Sequence, residues 1–357
     1  MHQGNQGAVE RLSFDGSADL KSDKRTRVTA RQMFVLAYAT QMDWLSGAGN
    51  LITGLEAYLD ASARHPEFSQ GYVHRLEANN SIAEGRQDTY DLAFFLLAYA
   101  WRFRALGDKQ ALQRAELLMR HLDHNFKGDR GGWEDKQTEV IIRRQNPHMH
   151  LFEAFIALYE ATGSSKWLAR AGEVFNLFET RFYDDNNEVL LEYFDAHWNP
   201  ITINGHYLVE PGHMLEWVWL LCRYNEYANT PVVRYTEALY ERALELGTDP
   251  NSGLLWDQVS PEGQVITASK RCWPMTELIK ANIALAGEGH SRYESRAAEA
   301  IELLLHHYLK VPTPGSYIDR LDAQNKVIDH SAPASTLYHL ALAAGESALY
   351  CRSQEID

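Results

Sequence analysis

An all-α fold, an (α/α)6 barrel, is what this 357-residue chain predicts, and three observations carry the prediction. Apolar residues recur at three and four through most of the chain, which is the helical period. The helices so marked are of two alternating kinds, one apolar all round after its first turn and one charged along one face. The apolar kind starts near Gln32, Tyr90, His148, His213, Trp273 and Thr336, at steps of 58, 58, 65, 60 and 63 residues. A helix without a polar face must be surrounded by protein, whereas an amphipathic one can face water. Six inner helices with about five to six outer partners therefore form a ring. An open solenoid is the alternative, although its repeats are usually shorter. The even repeat argues for one domain over 1–357, with 1–30 as an irregular N-terminal segment.

In chain order, DTYDLAFFLLAYAWRFRAL is an inner helix with a C-cap at Gly107, and ALQRAELLMRHL an outer one. HMHLFEAFIALYEATG, ended by Gly163, precedes the outer WLARAGEVFNLFETRF. EPGHMLEWVWLLCRYNEY is followed by VVRYTEALYERALELG, where Gly247 is the expected cap. CWPMTELIKANIALAGEG, with Gly287, is followed by YESRAAEAIELLLHHYL, and STLYHLALAAGESALY is the sixth inner helix. Glycine is favoured at these stops because it reaches the left-handed conformation without strain. Short extended pieces (GYVHRLE, NEVLLEYF, SGLLWDQV, GSYIDRL) lie between helix pairs, as short β segments in loops on one face. The sixth inner helix runs to the end of the chain. Its outer partner would have to come from the N-terminus, and residues 1–30 do not read as a helix, so the ring is expected to be incomplete at that seam.

Composition narrows the function. The content is 45% hydrophobic and 23% charged, enough for a large core, and the net charge is −14. An acidic chain with no basic block is a poor ligand for nucleic acid or an anionic membrane. No apolar run reaches the roughly 18 residues of a membrane span, and the first residues lack a signal-like apolar run, so a cytoplasmic protein is expected. Cys222, Cys272 and Cys351 are far apart and suggest neither a disulfide framework nor a zinc ribbon. No GxxxxGK[ST] loop or GxGxxG motif is present, so no nucleotide is expected. Nine Trp and 18 Tyr suit a carbohydrate pocket or a large core equally.

Chemistry is expected where the inner helices start. Each first turn, or the loop before it, carries polar or aromatic groups: Arg31; Tyr90 and Asp91; Asn146, His148, His150 and Glu153; His213 and Glu216; Arg271, Trp273 and Glu277; Ser335 and His339. Parallel inner helices would bring these together at one mouth, with six positive helix ends directed into it. His148 and His150, two apart, face different ways, so at most one enters. His150 with Glu153 and His213 with Glu216 are three apart, which stacks imidazole and carboxylate on one face. His65, His121, His124, His290, His306 and His307 read as solvated surface. Trp133 and Trp256 read equally as rim stacking platforms or loop anchors. Three imidazoles backed by carboxylates suggest general acid–base work, each ring neutral and held in one tautomer by its glutamate. A metal site is the rival, but HExxH, HxxEH and EF-hand patterns are absent.

RQNPHMHLFEAF, EPGHMLEWVWLL, KRCWPMTELIKA and the late STLYHL resemble, in order and spacing, the N-acylglucosamine 2-epimerase superfamily, from about residue 10 onward. The stretches around His150 and Trp273 resemble its mannose isomerase branch most. The resemblance implies an (α/α)6 sugar isomerase or epimerase that works without metal or other cofactor. It implies His213 and His339 as the acid–base pair at the sugar's C2 and His150 as the third histidine, assisting ring opening and holding the enediol. Arg31 would hold sugar oxygens, and Asn146, Glu153, Glu216, Trp273 and Glu277 would line the pocket beside Tyr90. The expected partner is a small monosaccharide, and the expected assembly a monomer or homodimer. The expected reaction is D-mannose to D-fructose, or lyxose to xylulose, through a cis-enediolate. A 2-epimerase is the alternative, followed by a glycoside hydrolase using Asp91, Glu216 and Glu277, and by a non-catalytic sugar binder. A phosphorylated sugar would call on Arg143, Arg144, Lys270 or Arg271; a free sugar is preferred.

Overall fold

The alternation of helix types is realised as two concentric rings. The computed structural model describes residues 7–134, 141–287 and 292–354. The inner helices are α1 (Thr26–Gln41), α3 (Thr89–Leu106), α5 (Gln145–Thr162), α7 (Pro211–Ala228), α9 (Trp273–Gly287) and α11 (Leu337–Gln354). Outside them run α2 (Ala48–Ser62), α4 (Lys109–Asn125), α6 (Ser165–Leu177), α8 (Val233–Gly247) and α10 (Arg292–Leu304). Each inner helix packs on the next, and α11 returns to α1, so the ring closes. Thirteen of the 18 residues of α7 are buried, against six of 15 in α8, which is the difference between a helix enclosed by protein and one with a wet face. Stacked rings of Phe152, Trp217 and Phe178 join α5, α7 and the π-helical turn after α6.

Local chemistry explains most of the boundaries. Asp88 caps α3 by accepting from the Tyr90 amide, and Pro211 opens α7, where a missing N–H costs nothing. Gly107 and Gly163 are left-handed C-caps as expected. Gly287 is the last residue of α9. Gly247 differs: it is the last residue of α8 and Thr248 follows as the cap. A Cβ on Gly247 would lie 2.5 Å from the Pro211 ring, so glycine here lets α8 approach the start of α7. Two helices begin earlier than their periodicity suggests. Arg31 lies in the second turn of α1 and His150 in the second turn of α5, because the polar first turns TRVTA and QNPH carry no apolar signal.

The short strands form antiparallel ribbons at the mouth where the inner helices begin. Lys24–Arg25, Arg143–Arg144 and Lys270–Arg271, just before α1, α5 and α9, pair with Arg75–Leu76, Tyr193–Phe194 and Arg320–Leu321 from the following repeats. At the seam no outer helix is found among the described residues. Instead Arg11–Ser13 pairs with Ser331–Pro333 ahead of α11, and α1 and α11 touch directly. The irregular N-terminal segment thus closes the mouth as a strand. No helix among the described residues is long and apolar enough to cross a membrane.

Candidate active site

Ten of the polar groups at the inner-helix starts meet in one cavity of about 370 Å³. These are Arg31, Tyr90, Asn146, His150, His213, Glu216, Arg271, Trp273, Ser335 and His339. The volume suits a small polar molecule. The opposite mouth is lined by the far ends of the same helices, including Tyr38, Trp101, Glu160 and Arg223, so the inner helices run parallel. Glu153 and Glu277 are buried behind the wall and not on it. Asp91 is withdrawn too, held by Arg27 at 2.8 Å and His74 at 2.6 Å. His148 points away, as its spacing from His150 requires. It accepts from the Trp133 amide at 3.0 Å and donates from Nδ1 to the Arg144 carbonyl at 2.9 Å.

Each cavity imidazole has a carboxylate on Nδ1, but the pairing is not uniformly the expected one. His150 Nδ1 lies 3.2 Å from Glu153 Oε2, as the i,i+3 spacing predicts. His213 does not pair with Glu216. Its Nδ1 bonds Glu192 Oε1 at 2.9 Å, with Glu210 Oε2 at 3.7 Å. Gln145 donates to the other Glu192 oxygen at 3.0 Å and accepts from the Trp217 indole at 2.9 Å, which fixes that carboxylate. His339 Nδ1 meets Glu277 Oε1 at 2.8 Å. An ionised carboxylate can only accept, so beside one a ring carries its proton on Nδ1. The Trp273 ring lies between His213 and His339, at centroid distances of 5.1 and 5.3 Å. Gly212 makes this possible, since a Cβ there would come within 2.5 Å of the indole.

The three rings differ in charge. Burial, helped by Arg31, drives His150 well below the ordinary imidazole range. Burial, Arg31 and Lys280 do the same to His339. Both are neutral. Burial also opposes charge on His213, but Glu192 and Glu210 outweigh it and push the ring up to about 9. His213 is therefore an imidazolium at neutral pH, contrary to the expectation that all three rings are neutral. Below the cavity, burial raises Glu153 to about 7 and Glu216 well above the carboxylate range, the latter helped by the nearby Glu277. Neither Glu216 oxygen has a hydrogen-bond partner among the described residues.

Arg31 is nearly buried. It donates to the Ser335 carbonyl at 3.0 Å and the Tyr90 hydroxyl at 2.6 Å, and lies 4.0 Å from the Phe94 ring centroid. It faces the cavity without a carboxylate partner among the described residues, ready for a sugar oxygen. The Asn146 side-chain oxygen is likewise buried without a hydrogen-bond partner among the described residues. Of the other guanidiniums on the wall, Arg11 pairs with Asp19, Arg25 with Glu10, Arg271 with Glu210 and Asp257, and Arg320 with Asp329. The phosphate candidates are otherwise remote. Arg143 is buried against Glu134, Arg144 holds Asp88, and Lys270 is buried on Asp249, so only Arg271 reaches the cavity.

Trp133 and Trp256 are loop anchors and not rim platforms. Trp133 is buried beside His148, and Trp256 packs under the Lys270 ammonium. His121, expected at the surface, is buried with Nε2 on Gln87. His290 lies outside the described residues. His150, Glu153 and Glu216, and again Glu216, Glu277 and His339, bring possible ligand atoms within 4.8 Å of one another. The Lys280 ammonium, 2.7 Å from Glu277, supplies one positive charge to this floor. Sequence reasoning missed Glu192, Glu210, Lys280 and Tyr338. Glu192 and Lys280 had a visible signal, a lone charge inside the apolar runs VLLEYF and LIKANIALA.

An (α/α)6 barrel with this cluster at its mouth has the architecture of the carbohydrate isomerases and epimerases. The family model for N-acylglucosamine 2-epimerase matches residues 7–343, and the chain belongs to that family. It is 32% identical over 349 residues to a mannose-6-phosphate isomerase from Rhizobium meliloti, covering 95% of this chain and 89% of the relative. It is 28% identical over 290 residues to a D-mannose isomerase from Thermobifida fusca, covering 75% and 70%. Among solved structures, a D-mannose isomerase superposes with a TM-score of 0.87 at 23% identity over 97% of this chain and 92% of that one.

Proposed function

We propose that the protein is an aldose–ketose isomerase interconverting D-mannose and D-fructose, with D-lyxose and D-xylulose as a related pair. The observation that carries this reading is geometric: the imidazoles of His150, His213 and His339, each with a carboxylate at Nδ1, face one small cavity. In the open-chain sugar, His339 Nε2 takes the proton from C2. The C2–H electrons form the C1=C2 bond, and the former carbonyl electrons move to O1, where the His213 imidazolium donates. The resulting cis-enediol is flanked by His150 and by Arg31, which hold its oxygens. Return of the proton from His339 to C1, with the O2 proton passing to the now neutral His213 as C2=O2 forms, gives the ketose. Return to the opposite face of C2 would instead give the epimer. His150 also suits ring opening, as a neutral group able to relay the O1 proton to O5. No step needs a redox partner.

A 6-phosphate is the second reading, favoured by the name of the Rhizobium relative and by the arginines on the wall. The free sugar is preferred because Arg11, Arg25, Arg271 and Arg320 are each already matched by a carboxylate. Glycoside hydrolysis fits poorly, since Asp91 and Glu277, two of the three carboxylates it would use, are withdrawn from the cavity. The test is a screen of free and 6-phosphorylated mannose, lyxose and glucose for ketose formation in the presence of a chelator. Fructose from mannose is expected. Glucose from mannose with no fructose would transfer the assignment to the epimerases, and turnover of mannose 6-phosphate alone would overturn the free-sugar preference.

A further inference from the structure

Beneath the cavity Lys280 is completely buried, on the second turn of α9. Its Nζ is 2.7 Å from Glu277 Oε2 and 3.8 Å from the centroid of the Trp219 ring. A lysine ammonium in such a place is costly unless closely paired. The other oxygen of the same carboxylate meets His339 Nδ1 at 2.8 Å. One carboxylate therefore joins a fixed cation to a cavity imidazole.

We propose that Lys280 is a positioning residue: it keeps the Glu277 carboxylate ionised, so that Glu277 accepts from His339 Nδ1–H and leaves the Nε2 lone pair facing the sugar. The proposal rests on the reading of His339 as the base. Glu153, Glu216 and Glu277 share a dry floor that cannot hold three negative charges. Lys280, bonded to one of them, decides which keeps its charge. Glu277 is also faced by His150 and Glu153 from α5, by Glu216 from α7 and by Tyr338, whose hydroxyl donates to Glu153, from α11. Arg31 from α1 and His213 from α7 add positive charge near His339. Burial raises Glu277, and Lys280 is the largest opposing influence. Without the ammonium, Glu277 takes a proton from solvent. A protonated carboxyl can donate to Nδ1, which moves the ring proton to Nε2 and removes the base.

The test reads the ring proton directly and activity separately, on the full chain with 15N-labelled histidine. In the parent, His339 is expected as the Nδ1–H tautomer. Lys280→Met is expected to shift it toward Nε2–H and to lower kcat about 100-fold, with KM changed less than about twofold. Its residual activity should rise with pH where the parent is flat, and Lys280→Arg should restore the parent tautomer and most of the rate. Parental tautomer and kcat in Lys280→Met would overturn the proposal. If Lys280→Met does not fold by circular dichroism, Lys280→Gln, which removes the charge and keeps a donor toward Glu277, replaces it; the parental tautomer and kcat in that variant would also overturn the proposal. A parent that turns over no sugar would sink the functional reading and leave the tautomer result standing.

Discussion

His213 and His339 are the same residue type at the same place in two repeats, yet one is charged and the other neutral. The difference is set by neighbours: two carboxylates, Glu192 and the Arg271-paired Glu210, beside His213, against one carboxylate paired with Lys280, and Arg31 adding positive charge, beside His339. His213→Ala and His339→Ala are each expected to lower kcat by about 10² to 10⁴ while leaving the helical circular dichroism unchanged. Full activity in His339→Ala would refute its role. The activity should fall as pH rises through about 9, where His213 loses its proton. Glu192→Gln removes the main support of that proton and should move this alkaline limb to lower pH; an unmoved limb in the pH–rate profile would assign it elsewhere. His148 offers a check on stability. Burial holds it down to about 4 and both its nitrogens are used in the neutral form. Below about pH 6.5 the unfolded chain binds a proton that the folded chain refuses, so stability falls as pH drops from 6.5 toward 4. The loss is about 3 kcal/mol, and urea titrations should find that part of the acid sensitivity absent in His148→Gln.

At the scale of elements, the inner helices were legible because enclosure demands apolar residues all round, and that leaves a periodic trace. Their polar first turns were not, which is why Arg31 and His150 were assigned one turn too close to the helix start. The outer helix α2 was missed: AGNLITGLEAYLDAS has few charges and a weak periodic contrast. His150–Glu153 could be read from spacing because both lie on α5. His213–Glu192 could not, because Glu192 lies 21 residues away in a two-strand connection and no local pattern reports such a contact. The close approach of α7 to α9 through Gly212 was equally hidden. Gly212→Ala is expected to displace Trp273 from between His213 and His339, lowering kcat at least tenfold for a stability cost of about 1–3 kcal/mol. Parental kinetics in that variant would show that the indole need not be held there.

For the whole molecule, the repeat of about sixty residues determined the ring, and the ring determined the site, since parallel inner helices collect their first turns at one mouth. The closure of the seam was not visible. A strand of three residues, Arg11–Ser13, has too short a pattern to announce its partner more than 300 positions away. Because Glu10 and Arg11 also line the cavity, removing residues 1–13 is expected to lower the melting temperature by several degrees and raise KM for the sugar. An unchanged KM would separate the strand from the site. The central claim is that imidazoles from three inner helices move the sugar's C2 proton as a proton. Proton NMR of D-mannose brought to equilibrium by the enzyme in D2O tests it most directly. Solvent deuterium at C1 of the fructose formed, absent with His339→Ala, is the predicted result. Fructose that carries the original C2 hydrogen at C1 with no solvent deuterium would mean a hydride shift and would contradict it.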